Sequence, residues 1–269
     1  MRNRIAQISG HAGGSPHPSS RPPLRFGLHE IDSLLPSGGL AVGALHEVMG
    51  AGPDTEHAAV PSLLVAGLLA RHERGPVFWA MRGRDLFPPG LAGVGLGPGR
   101  VILAECGRDV LAAMEEALRH PALGAVVGEV DGPFGLVASR RLQLAAARSG
   151  VTAFALRRSR RFDDPALSAP SAASSRWRVS ALPAPGRDDG ALDAWPGRAA
   201  WRLDLLRCRD TGLSRSWWLE ACDATGRITS LERDVPDLRS QRRSFPADRV
   251  PVAAVLGGGA AASFGRRSA

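Results

Sequence analysis

Between Gly38 and His57 the chain reads GGLAVGALHEVMGAGPDTEH, and residues of those types at that spacing could hold a triphosphate. Gly38-Gly39 permits a sharp turn, Ala44 to Met49 reads as a short buried strand, and Gly50 opens a run of small and turn-forming residues before an apolar-periodic helix. Strand, glycine loop and helix in this order match the layout of G-x-x-x-x-G-K-[ST]. In that motif backbone amides cradle the phosphates, the lysine neutralises their outer oxygens and the hydroxyl holds magnesium. Counted from Gly50, the second glycine falls on Thr55, the lysine on Glu56 and the hydroxyl on His57. Gly50, Gly52, Thr55, Glu56 and His57 thus form a candidate phosphate loop with the right layout and the wrong charge.

The size of that change is appreciable. At about 4 Å and an effective dielectric near 20, a unit charge pair is worth about 4 kcal/mol, so Glu56 turns an attraction of that order into a repulsion. No lysine elsewhere can substitute, because all 34 cationic side chains are arginine. Arginine binds phosphate as a planar fork, not as the compact point charge such a loop encloses. The competing reading is an ordinary strand-turn-helix that holds no ligand.

The elements that would position this loop emerge from periodicity. Val60, Leu63, Leu64, Gly67 and Leu68 recur at helical spacing, with Pro61 tolerable in a first turn. Gly75-Pro76 ends that helix, and Val77 to Met81 reads as a buried strand. After a glycine- and proline-rich loop from Arg82 to Arg100 come an apolar strand at Val101 to Ala104 and a helix from about Arg108 to His120. In that helix Val110, Leu111, Met114 and Leu118 should point inward. Gly124 to Val130 is apolar or small apart from Glu129, the pattern of a strand covered on both faces. Leu136 to Arg148 suits a helix capped by Gly150, and Val151 to Leu156 a further buried strand. Strands alternating with helices imply an α/β sandwich around a parallel sheet. Beyond the basic run Arg157 to Arg161, the runs Arg176–Ala181, Trp201–Arg209 and Trp217–Cys222 read as antiparallel strands that extend it.

Hydrophobic content of 44% and charged content of 22% are ordinary for a soluble globular chain. The net charge of +8 lies wholly in the ends. Residues 1–25 and 237–269 each carry a net charge of +4, while 26–236 balances arginines against acids. We therefore expect a disordered basic tail at 1–25, one domain at 26–236 and a flexible basic tail at 237–269. Such tails can attract nucleic acid, though many are inert. Cys106, Cys208 and Cys222 lack metal-ligand spacing and read as reduced thiols. No segment approaches the roughly 18 consecutive apolar residues of a membrane span, so a cytoplasmic location and no membrane contact are expected. Adjacent Trp217 and Trp218 must face opposite ways in a regular strand, so one of them could anchor an interface.

The order of these elements resembles the RecA-type core. Phe26-Gly27-Leu28-His29-Glu30-Ile31-Asp32 is similar to that superfamily's lead-in, and Gly38-Gly39-Leu40, Gly43 and Glu47-Val48-Met49-Gly50 to its first strand and loop. Three further segments resemble the ImuA family, RecA-related proteins of a bacterial inducible mutagenesis cassette. They are Ser139 to Ala146 (SRRLQLAA), Ser174 to Val179 (SSRWRV), and Trp201-Arg202-Leu203 through Trp218-Leu219-Glu220. The resemblance spans roughly residues 24–235. It implies a RecA-like three-layer α/β sandwich of the P-loop NTPase type, with a mostly parallel central sheet extended by antiparallel strands.

The resemblance also implies roles. RecA-type ATPases place a catalytic carboxylate after the second core strand, where this chain has Arg82. The acid that orients magnesium would be Glu129 or Asp131. With Glu56, His57 and Arg82 all against it, ATP hydrolysis is not expected, nor is bound ATP or another cofactor. Arg157, Arg158, Arg160 and Arg161 come after a core strand, where RecA-like proteins carry a DNA-binding loop. They are candidate contacts to DNA or a partner, against the reading of a solvated loop balanced by Asp163 and Asp164. The family places such a protein in damage-induced (SOS) translesion synthesis, as a non-catalytic adaptor for ImuB and the error-prone polymerase ImuC, with RecA as a further candidate partner. The alternative is a divergent DNA-dependent ATPase of the RecA superfamily.

Overall fold

Nine strands form one mixed sheet in the computed structural model, which describes residues 21–72, 74–161, 164–182, 198–209 and 211–231. In chain order the elements are α1 (His29–Asp32), β1 (Leu45–Gly50), α2 (Asp54–His57), α3 (Ala59–Ala70), β2 (Val77–Met81), α4 (Pro88–Gly93), β3 (Val101–Glu105), α5 (Val110–Ala117), β4 (Ala125–Asp131), α6 (Leu136–Ser149), β5 (Thr152–Arg158), α7 (Pro165–Ser168), β6 (Ser175–Leu182), β7 (Ala200–Cys208), β8 (Arg215–Glu220) and β9 (Thr229–Ser230). The sheet order is β3-β2-β4-β5-β1-β6-β7-β8-β9. All pairings from β3 to β6 are parallel, and those from β6 to β9 antiparallel.

Two apolar layers sandwich the parallel part. On one face α3 packs against β1, β5 and β6, burying Val65, Leu68 and Leu69 with Trp79, Phe154 and Trp177. On the other, α5 and α6 cover β2, β4, β5 and β1, and Met114, Leu118, Leu142 and Ala146 close over Val126, Val130 and Ala153. The strands between these layers are almost wholly apolar because neither face meets water. Gly150 ends α6 in the left-handed conformation (φ 72°), its amide bonded 2.8 Å to the Ala146 carbonyl.

Several expectations need adjustment. The run Arg176–Ala181, expected to be antiparallel, lies in β6 (Ser175–Leu182), which pairs parallel with β1 and antiparallel only with β7. Its apolar residues Trp177 and Val179 meet α3 and the lead-in, which makes it the last strand of the parallel core. The 82–100 loop contains α4, started by Pro88-Pro89. The start at Phe26 is slightly late, because Leu24 is 4% exposed and exchanges both backbone hydrogen bonds with Leu40. Val101–Ala104 is a strand, but an edge strand, with Ile102 and Leu103 exposed. Residues 1–20 of the expected N-terminal tail and the whole 237–269 tail lie outside the described residues.

Beyond β6 the sandwich loses a layer. Trp201, Leu203, Leu205, Trp217 and Leu219 continue the α3-side core. The opposite face of β6, β7 and β8 carries Arg176, Arg178, Arg202, Asp204, Arg207, Ser216 and Trp218, and α7 lies beside its Arg176 end.

Candidate functional site

β1 delivers Gly50 to the carboxyl edge of the sheet, where nucleotide loops sit in this layout. The connection from there is short: Ala51-Gly52-Pro53, then α2 from Asp54. The helix therefore begins one position before Thr55, the place of the motif's second glycine. Its first amide, Asp54 N–H, donates to the Ser159 carbonyl at the end of β5 (2.7 Å), and Ser159 N–H donates back to Asp54 Oδ1 (3.3 Å). The amides of Glu56 and His57 both donate to the Pro53 carbonyl, at 3.0 and 3.1 Å. Three of the backbone donors that could face a phosphate are thus occupied internally.

His57 closes the loop further. A Cβ on Gly50 would lie 2.7 Å from the His57 Cβ, so glycine is required there for the helix to lie against the strand end, not to admit a ligand. The imidazole is largely covered, with Nε2 3.8 Å from Glu56. Asp54 and Glu56 put two carboxylates in the first turn, the polarity a helix start favours for its own residues and the opposite of what an incoming anion needs. Pro61 lacks the N–H that would bond the His57 carbonyl, and the helix breaks at Ala58 between α2 and α3.

A guanidinium stands at this break. Arg158, from the end of β5, lies 2.7 Å from Asp85, 3.5 Å from Asp54 and 3.6 Å from Glu129, and donates to the Ala58 carbonyl at 3.4 Å. One cation therefore joins α2, the loop after β2, and β4. Glu129 is 2% exposed and also accepts from Trp79 Nε1 at 3.3 Å. Burial raises its pKa, against which the Arg158 charge is the main opposing influence. Asp54 is likewise raised by burial and lowered by Arg158. Asp131 lies at the exposed end of β4, paired with Arg82. Among the described residues no group of three or more His, Cys, Asp or Glu is placed to hold a metal, and Glu129 and Asp131 do not converge.

The basic run does not form one solvated loop. Arg157 and Arg158 are the last residues of β5, and the expectation that they meet DNA or a partner fails on burial. The Arg157 side chain is 0% exposed, 3.5 Å from Glu47 on β1, and donates to the carbonyls of Gly132 and Ala166 at 2.9 and 3.2 Å. Arg176 on β6 reaches the same carboxylate, Nε at 3.2 Å and Nη2 at 3.4 Å. Burial pulls the Arg157 guanidinium below its usual range, and Glu47 is the main group sustaining its charge. Arg160 and Arg161 do face solvent. Their loop is tied by Ser159, whose Oγ–H contacts the Arg161 carbonyl and an Asp164 oxygen, both at 3.0 Å. Phe162 and Asp163 lie outside the described residues.

Trp217 is in the core at 6% exposure, 6.1 Å from Trp177, so it does not serve as a contact. Trp218 points the other way, half-buried, with the Arg202 guanidinium 5.7 Å from its ring centroid. Sequence reasoning missed Glu47, Asp85 and Arg176. The signal was present: a carboxylate inside the apolar strand LHEVMG must meet a cation, and SRWRV supplies one on the neighbouring strand.

Comparison with known proteins adds a family and a fold. No family model matches the chain. Two curated proteins, each named Protein ImuA, from Caulobacter vibrioides strains NA1000 and ATCC 19089, are 39% identical over 213 residues, covering 76% of this chain and 85% of theirs. Among solved structures, the RadB recombinase crystal structure superposes with a TM-score of 0.55 at 17% identity, covering 78% of this chain and all of that one. At that identity the likeness speaks for the fold, an α/β RecA-like core.

Proposed function

Because this chain belongs to the ImuA family, we propose that it is a non-catalytic RecA-like accessory protein of SOS translesion DNA synthesis, an adaptor for ImuB and the error-prone polymerase ImuC. RecA is a further candidate partner under this reading. The observation that carries it is the state of the loop after β1. Glu56 and His57 stand at the lysine and hydroxyl positions. His57 packs on Gly50, and the first helix amide is bonded to Ser159. Arg158 joins Asp54, Asp85 and Glu129 beside them. A loop of this kind is a degenerate phosphate site, and a fold that keeps its scaffold while losing that chemistry is suited to making contacts.

The purified chain should show no ATP turnover above background, with or without single-stranded DNA, and should capture ImuB in a pull-down. Robust hydrolysis lost on Glu129→Gln would defeat the reading. A second reading, a divergent DNA-dependent ATPase, draws on one observation: Glu129 is a buried acid near the end of the strand that carries the magnesium-orienting residue in RecA-type enzymes. Turnover stimulated by single-stranded DNA would favour it.

A further inference from the structure

The face of β6, β7 and β8 turned away from α3 is not explained by folding. In a sheet extension covered on one side, the outward positions usually carry mixed, solvated polar residues. Here they are dominated by guanidinium groups that outnumber their counter-charges. Arg176 is buried against Glu47, Arg178 and Arg202 share the carboxylate Asp204, and Glu220 at the end of β8 pairs with Arg198. Arg207 is exposed, and among the described residues its side chain donates only to the Ser171 carbonyl at 3.0 Å. Among the described residues Asp204 thus serves two guanidiniums, and Arg207 makes no ion pair. The side chains of Arg178 and Arg202 are 43% and 32% exposed, so their outer N–H groups reach water.

The charges are arranged in a line. From Arg202 to Arg207 along β7 is about 17 Å at about 3.4 Å per residue, with Arg178 between them on the adjacent strand. One end leads to a cleft beside Gly50 and Gly52, whose walls include Arg176, Arg178 and Arg207. The other end is the half-buried Trp218, with Arg202 stacked at its ring.

From this geometry we infer that the outer face of β6–β8 binds single-stranded nucleic acid, with Arg178, Arg202 and Arg207 on phosphates and Trp218 beneath a base. The excess of forked cations selects a polyanion, because guanidinium matches phosphate oxygens bidentately. The flat ring beside them offers the stacking surface that nucleic acid uses and an acidic polypeptide does not need. A protein partner would in turn want apolar anchors. Among the described residues the large exposed hydrophobics lie on other elements, or in the β7–β8 turn at Leu213. This surface is separate from the Arg157–Arg161 run, and the inference holds whether or not the chain is an adaptor for ImuB.

The test is fluorescence anisotropy of the full chain with labelled oligothymidylate across a salt series, with a labelled polyglutamate peptide in parallel. Three neutralised phosphates predict a slope of log K against log salt of about −2, each contributing about 0.7. Arg207→Gln, at an exposed position, should lower the slope by about 0.7 while leaving thermal unfolding unchanged. Trp218→Leu should weaken binding by about 5- to 150-fold, as loss of one stacked base does, with the slope unchanged. The inference is overturned if oligothymidylate does not bind. It is equally overturned if Arg207→Gln and Trp218→Leu both bind like wild type, which would place binding in the basic ends. Polyglutamate binding as tightly, with the same response to both variants, would mark the face as a site for acidic protein and overturn it too.

Discussion

Replacing Glu47 with glutamine should unfold this protein more readily than almost any other change of a single side chain of equal size. Glu47 is fully buried on β1, and its two oxygens face Arg157, Arg176 and the Ser171 hydroxyl. Glutamine keeps the volume and one acceptor, but leaves two guanidiniums side by side with no counter-charge at 0% and 10% side-chain exposure. Removing one partner from a buried ion pair typically costs about 3–5 kcal/mol, against a total stability of about 5–15 kcal/mol for a domain. At about 2–4 °C per kcal/mol for a chain of this size, Tm should fall by roughly 6–20 °C. Urea unfolding followed by tryptophan fluorescence at pH 7 measures the loss directly. Being buried, the interaction should be insensitive to salt between about 0.1 and 1 M, whereas a surface pair would be screened. The double variant Glu47→Gln/Arg157→Met should recover at least about 1 kcal/mol relative to additivity, since contacting residues couple. A loss below about 1 kcal/mol, or one that vanishes in high salt, would refute the argument that this carboxylate is the counter-charge of two strands.

Three other outcomes rest on neighbouring contacts. His46 is buried, donating from Nε2 to the Ala41 carbonyl and accepting at Nδ1 from Ser175, whose oxygen accepts from Trp177; burial holds its pKa at about 4. A depressed pKa contributes stability present above the unfolded value of 6.5 and lost as pH falls toward 4. Thermal unfolding between those limits should therefore show a decline of roughly 3 kcal/mol that His46→Gln abolishes. Arg158→Gln should cost about 3 kcal/mol near pH 7, read by urea unfolding. That loss should shrink in acid, because Glu129, its pKa already raised by burial, takes up a proton instead of remaining an unpaired anion. Gly67→Ala should destabilise by about 1–2 kcal/mol, although alanine normally gains about 1 kcal/mol in a helix. The new Cβ would sit 2.3 Å from Cys222 Sγ, and Cys222→Ala in the same chain should return most of the loss.

The parallel core was legible because both its faces are dry: Val77–Met81, Gly124–Val130 and Val151–Leu156 have no polar face to misplace, and each lies within a residue or two of its strand. The loop after β1 was legible as layout, and the reversal at Glu56 and His57 comes from counting alone. What the sequence hid were contacts between residues far apart in the chain. Arg157 and Arg158 read as a solvated run because four guanidiniums in five residues normally avoid the interior. Their burial depends on Glu47 and Glu129, 110 and 29 positions earlier, on neighbouring strands. Strand direction at β6 was obscured for a related reason, since a strand with a parallel neighbour on one side and an antiparallel one on the other carries no mark of it in its own pattern.

The position of His57 over Gly50 has a consequence for how such a protein can change with time. Placing lysine at 56 alone would put an amine next to a strand end still covered by imidazole, beside a helix start still bonded to Ser159 and acids still joined to Arg158. Each of those three features would have to be undone separately, and undoing any one of them first lowers stability without yielding a working pocket. On this geometry no single substitution restores a working pocket, so selection can act on the remaining surface with the loop held closed.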